Sequence, residues 1–104
     1  MNILKICEKF TDAPGGRLRS DGPKSGQEFR EEILIPFFLD INEGDKGLVD
    51  LDGCFGYATS FLEEAFGGLS RMYGPMIVLS KLEFKSDEEP NLISEIREYI
   101  ANAN

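Results

Sequence analysis

No histidine and no tryptophan occur in the 104 residues. Without histidine there is no imidazole to act as base for a serine or cysteine nucleophile. The two cysteines, Cys7 and Cys54, stand far apart in the sequence. They are too few for a disulfide framework, and without histidine they do not make a zinc site of the Cys/His type. A reduced, cytoplasmic location is therefore expected, with no metal and no cofactor. Long apolar runs are also missing. The longest lies around Ile33–Leu39 and is too short to span a membrane, so no membrane association is expected. The opening MNILKICEKF has neither an extended apolar region nor a small-residue cleavage site, and no signal peptide is expected. Positive charge is scarce as well. Eleven Lys and Arg against 19 Asp and Glu leave a net charge of −8, the wrong sign for general nucleic-acid binding.

The composition that remains is 41% hydrophobic and 29% charged, in the range of a folded globular chain. At this length one domain over residues 1–104, with a single core, is expected. Charge is unevenly spread. Residues 1–30 carry Lys5, Lys9, Arg17, Arg19, Lys24 and Arg30 against four acids, a local charge of +2, and residues 31–104 carry −10. This patterning suits either an oriented contact surface or an ordinary solvated one.

Strand and helix signals alternate. Asn2–Ile6 reads as a strand, Thr11–Gly16 as a turn, and Arg17–Ser20 as a short strand that would pair back on the first. Ser25 with Glu28 forms a capping-box pattern ahead of a helix carrying Phe29, Ile33, Leu34, Phe37 and Phe38. Pro36 should kink that helix or end its first segment near Ile35. Gly47–Leu51 reads as a central buried strand. Ser60 with Glu63 makes a second capping box, and the helix after it should turn Phe61, Leu62, Ala65, Phe66, Leu69 and Met72 inward. Gly67-Gly68 within it implies close backbone packing or an early helix end. Met76–Leu79 reads as a further strand, continued or flanked by Leu82–Phe84, and a last helix runs to about Ala101. The expectation is an α/β domain with a small mixed or mainly parallel sheet of four to five strands. Its three helices would cover Ser25–Leu39, Ser60–Tyr73 and Pro90–Ala101. Phe29, Leu34, Phe37, Val49, Leu51, Leu62, Phe66, Leu69, Ile77 and Ile96 should be buried.

The stretch Val49–Leu69, VDLDGCFGYATSFLEEAFGGL, holds most of the candidate chemistry. A strand ends in Asp-Leu-Asp-Gly, a loop of small and aromatic residues follows, and Thr59-Ser60 opens a helix. In open α/β sheets, ligands and partners meet the carboxyl ends of strands. A helix start there also favours an added anion. Hydroxyls at such a position serve as caps, ligand contacts or phosphorylation sites, and Thr59 and Ser60 are the two candidates, with Tyr57 and Asp52 beside them. Asp50 and Asp52 alternate along the strand and would share a face. They are a weak metal site, and Asp52 is expected to order the turn by Asx-type hydrogen bonds. Cys54 has no base to activate it and is expected to be buried. Arg17, Arg19 and Lys24 surround glycines ahead of the helix start at Ser25, which makes an anion-binding turn conceivable there.

These residues resemble a bacterial STAS-like domain of unknown function. In that family a strand ending in an Asp-containing turn precedes a Ser/Thr-Ser-Phe-Leu helix start and a Phe-Gly turn, as in VDLDG–CFGYATSFLEEAFGGL. The upstream GPKSGQEFREEIL is similar to the family's first helix, and the likeness spans roughly residues 15–100. A more distant resemblance is to STAS domains of the anti-sigma factor antagonist type, in which the first Ser of an Asp-Ser-Ser element is phosphorylated by a kinase of histidine-kinase-like ATPase fold. Laid over this chain, Thr59 falls on the phosphoacceptor and Ser60 on the residue after it, while Ala58 stands where the acid would be. The resemblance implies a STAS-like fold and a non-enzymatic regulatory module in signalling, whose protein partner docks beside the Gly53–Ser60 loop. A histidine-kinase-like ATPase would be such a partner. The alternative is a small nucleotide- or anion-binding protein or enzyme using Asp50, Asp52 and the Arg17–Lys24 turn.

Overall fold

Three short strands lie side by side in chain order, all parallel: β1 (Asn2–Lys5), β2 (Gly47–Asp50) and β3 (Leu82–Lys85). The computed structural model describes residues 1–104. In register, Leu4, Val49 and Phe84 line one face, and Ile3, Leu48 and Glu83 the other. Parallel neighbours require crossover connections. Here α2 (residues 26–39) crosses from β1 to β2, and α3 (residues 59–73) with α4 (Pro75–Lys81) crosses from β2 to β3. A short α1 (Ile6–Lys9) continues β1, and α5 (Asn91–Ala101) follows β3.

The long helices pack on the Leu4–Val49–Phe84 face and on each other. Phe29 of α2 meets Phe61 and Phe66 of α3 at ring-centroid distances of 5.7 and 6.2 Å, and Phe66 meets Phe84 of the sheet edge-on at 5.5 Å. Such pairs each add about 0.5–1.5 kcal/mol beyond the area they bury. Gly26 makes the α2–α3 crossing close: a Cβ there would stand 2.5 Å from the Phe61 carbonyl oxygen. The other sheet face, with Ile3, Lys5, Leu48, Asp50, Glu83 and Lys85, is exposed or half-buried. Leu4, Ile6, Val49, Leu51, Val78, Leu82, Ile96 and Ile100 complete one buried cluster with the aromatic rings.

The parallel α/β alternation is present, but the sheet has three strands rather than four or five, and there are five helices rather than three. Arg17–Ser20 is not a strand; Arg19–Asp21 forms a single 3-10 turn, held by the Leu18 N–H donating to Asp21 Oδ2 at 2.9 Å. Met76–Leu79 is helical. Pro75 takes the first position of α4, where its missing N–H costs nothing. A short apolar run does not by itself separate a strand from a helix. That change also turns Ile77 outward to 52% exposure, whereas Val78 is buried. Met72 at the end of α3 is exposed and Phe37 half-buried; the other eight residues expected in the core, Phe29, Leu34, Val49, Leu51, Leu62, Phe66, Leu69 and Ile96, are buried.

Pro36 does not end α2. The turn before it, Arg30–Leu34, widens to π-type spacing, and the helix then runs on to Leu39. Widening moves the preceding carbonyls away from the pyrrolidine ring, which would clash in a regular turn. A matching widened turn, Glu63–Gly67, lies in α3. Gly67 and Gly68 are buried there without ending the helix. A Cβ on Gly68 would collide with the Arg30 side chain, and one on Gly67 would sit 2.5 Å from Glu63 Oε2.

Candidate functional site

The loop from Leu51 to Ala58 leaves the carboxyl end of the central strand and enters α3. Asp50 starts the turn, since its Oδ1 accepts from the Asp52 N–H at 3.0 Å. The Asx-type bond thus belongs to Asp50 and not, as expected, to Asp52. β2 ends at Asp50, so Asp52 stands just past the strand. Gly53 follows with φ of +93°, a conformation that side chains disfavour, and a Cβ there would also meet Cys7 Sγ at 2.6 Å.

Asp52 is the hub of the loop. Its Oδ2 accepts from Lys85 Nζ at 2.8 Å and the Asp87 N–H at 3.2 Å, and its Oδ1 accepts from the Glu88 N–H at 3.0 Å. The Glu88 N–H, then the Lys85 ammonium, hold the Asp52 carboxyl down to about 2. Lys85 is raised in turn, first by its bond to Asp52 and then by its bond to Asp87. Glu88 returns the favour, since its Oε1 accepts from the Gly53 N–H at 2.8 Å. The acidic pair after β3, Asp87 and Glu88, therefore clamps the neighbouring loop. Register pairing of Asp50 with Lys85 across parallel strands brings these distant segments together.

Tyr57 points inward. Its hydroxyl donates to the Leu51 carbonyl at 2.7 Å and lies 3.0 Å from Cys54 Sγ, and burial pushes its pKa up. Its ring packs on Phe61 at 6.0 Å. Cys54 is half-buried with its thiol directed at the Thr11 carbonyl, 3.4 Å away, and burial raises its pKa, away from the thiolate. The Phe55 N–H donates to the Asp12 carbonyl at 2.8 Å, yet the Phe55 side chain is 88% exposed. Nothing in its local pattern separates Phe55 from a core aromatic; only the loop's anchoring decides its direction.

Thr59 is the first helical residue of α3, and Ala58, which has no side-chain hydrogen-bonding group, occupies the cap position. The expected Ser60–Glu63 capping box is absent because the cap falls on Ala58, two residues before Ser60, and Glu63 binds Arg17 and Arg71. Thr59 is exposed, Ser60 is half-buried, and neither hydroxyl makes a hydrogen bond within the protein.

The residues weighed as an anion-binding turn are engaged elsewhere. Arg17 bridges Glu63 at 2.6 Å and Glu64 at 3.3 Å, and its pKa rises mainly through the hydrogen bond to Glu63. Arg19 bridges Glu31 at 3.0 Å and Glu32 at 2.9 Å. Arg71 holds the other oxygen of Glu63 at 2.7 Å, and this bond is the main reason that the Glu63 carboxyl is lowered. Lys24 lies over the Phe10 ring at 5.0 Å. Ser25 is fully buried and caps α2, its Oγ accepting from the Glu28 N–H at 3.0 Å. Glu28 completes the start of that helix by accepting from Lys24 N–H rather than from Ser25. The basic character of residues 1–30 is thus used largely to neutralise the acidic faces of α2 and α3. No group of His, Cys, Asp and Glu in the structure has the arrangement to hold a metal ion, and no helix is long and apolar enough to cross a membrane.

No curated protein and no solved structure matches the chain. A family model does match, over residues 25–92, from the cap of α2 to the second residue of α5. The chain belongs to the family described as the STAS-like domain of unknown function (DUF4325).

Proposed function

We propose that this chain is a non-enzymatic, regulatory protein-binding module of the cytoplasm, whose partner docks on the Gly53–Ser60 loop and the first turn of α3. The observation that carries this reading is the state of Thr59. Its hydroxyl is exposed, unbonded and set at a helix start whose cap position is an alanine. The loop before it is ordered by bonds to Asp12, Leu51 and Glu88, so the surface is presented in one conformation. A partner-switching mechanism follows, with a histidine-kinase-like ATPase as kinase and binding partner. Phosphate on Thr59 would add about −1.5 to −2 charges at pH 7. The helix start favours that charge, so the fold should keep its stability, while binding weakens because the phosphate would be desolvated where the partner packs on the first turn of α3.

The test compares Thr59→Glu, Thr59→Ala and the parent for melting temperature and for affinity to a partner captured from the native host and identified by mass spectrometry. The expected result is weaker binding for Thr59→Glu with little change in melting. Equal affinities for all three would remove Thr59 from the mechanism. A large melting loss in Thr59→Ala alone would make it a structural residue.

The other reading, a nucleotide- or anion-binding protein or enzyme, draws on residues that already have partners. Asp52 accepts three hydrogen bonds, and Arg17 and Arg19 are each bound to two carboxylates. Turnover of a substrate that Asp50→Asn or Asp52→Asn abolishes would favour it.

A further inference from the structure

Phe55 is the most exposed large apolar residue of the chain, at 88%, yet the backbone that carries it is held on both sides. Its own N–H is bonded to the Asp12 carbonyl at 2.8 Å. Two residues earlier, the Gly53 N–H is bonded to Glu88 at 2.8 Å; two residues later, Tyr57 is tied to Leu51 at 2.7 Å. A solvent-facing phenyl ring on a fixed backbone loses little conformational freedom when a partner covers it. Aromatic side chains inserted into pockets dominate many protein interfaces.

The charges around the ring have one prevailing sign. Asp12 anchors the loop through its backbone carbonyl and Glu88 through its carboxylate, the charges of both act on Cys54 next to Phe55, Asp52 lies at the loop's start, and the Asp87 carboxylate reaches Lys85 beside it. The one cation bonded into this group, Lys85, is already bridged between Asp52 at 2.8 Å and Asp87 at 3.1 Å. Four carboxylates against one committed ammonium make the rim of the patch negative.

Resting on the reading of this loop as a docking surface, we infer that Phe55 is the anchor of that contact and that it enters an apolar socket rimmed by Lys and Arg on a protein partner. Opposite charges at a rim speed and orient association, and the buried ring supplies the lasting affinity. The contact should therefore be both Phe55-dependent and weakened by salt.

The experiment places the photocrosslinker p-benzoylphenylalanine at position 55, at position 59 or, as a control, at position 76, where Met76 is 84% exposed on α4. The probe is the full chain, expressed in its native host and irradiated there, and the crosslinked peptides are sequenced. The expected result is a crosslink from position 55 to an apolar segment flanked by Lys or Arg, absent from position 76. Affinity of the parent for the protein so identified should fall about 30-fold or more in Phe55→Ser, stay near parental in Met76→Ser, and fall with added salt. A circular-dichroism melt of Phe55→Ser unchanged from the parent excludes misfolding as the cause. A crosslink from position 59 but none from 55, or an affinity unaffected by Phe55→Ser, overturns the anchor while leaving the docking surface in place. Crosslinks from neither position overturn both. A crosslink from position 55 to a second copy of this chain, or to a segment flanked by acids, overturns the partner chemistry.

Discussion

Arg30 and Glu64 join the two widened helical turns, one from α2 and one from α3. Their side chains are ion-paired, each only 14% exposed, and Arg30 Nη1 also donates to the Glu64 carbonyl oxygen at 2.7 Å. The buried Arg30 Nε has no partner. Gly68 leaves the space in which the guanidinium lies. Arg17 approaches the same carboxylate from the other side, at 3.3 Å. The ion pair is therefore the seam of the helical layer that carries the loop.

The two halves of that pair should not be equally costly to remove. Arg30→Met leaves Glu64 with Arg17, and the methionine fills part of the space. Glu64→Leu leaves a largely buried guanidinium with one backbone carbonyl and only the distant Glu31 carboxylate, 4.0 Å away. A hydrogen bond to a charged group is worth about 1.5–3 kcal/mol, and stranding a buried charge adds to the loss. In urea denaturation Glu64→Leu should lose at least that much, and Arg30→Met clearly less. The reverse order would show that the guanidinium is solvated and the seam is held by packing alone.

Asp52 predicts a specific acid sensitivity. Its carboxyl is held at about 2 in the folded chain against an ordinary 3.8. A depressed carboxyl stabilises the fold fully above its unfolded pKa, and the contribution disappears as pH falls toward the folded one. Asp52→Asn should therefore be less stable than the parent at pH 6, and the gap should narrow between pH about 4 and 2. Glu31 and Glu63 are also lowered by arginines, but they act alike in both proteins and drop out of the difference. Urea midpoints at pH 6 and pH 2.5 make the check. A gap of the same size at both would mean that Asp52 acts through shape rather than charge.

Phe66 sits between Phe29 and Phe84 and is fully buried. Phe66→Ala should cost about 3–5 kcal/mol of unfolding free energy. A loss below about 1 kcal/mol, the range of ordinary surface changes, would remove it from the core.

Local rules read well from the chain. The start of α2 at Ser25, the central position of Gly47–Asp50, the final amphipathic helix and eight of the ten expected core residues all follow from capping and periodicity. These signals act over three or four neighbours, so one sequence carries them complete. They fail where two local solutions are close in energy. Met76–Leu79 suits a strand or a helix until Gly74-Pro75 opens α4, and Ser60–Glu63 suits a capping box until Arg17 and Arg71 claim Glu63.

The chemistry of the candidate site belongs to that second class. Thr59, Tyr57 and Asp52 are visible in the sequence as a cluster, but their states are set by groups far along the chain. Lys85, Asp87 and Glu88 close on Asp52 because β2 and β3 are parallel neighbours. Asp12 holds Phe55 from the first connection. Composition and order determined the α/β alternation and the residues available. Only the tertiary structure decided that Tyr57 turns inward, that Phe55 faces solvent and that Thr59 remains unbonded. Hydrogen bonds and ion pairs between distant segments form only once burial of the shared core has brought those segments together.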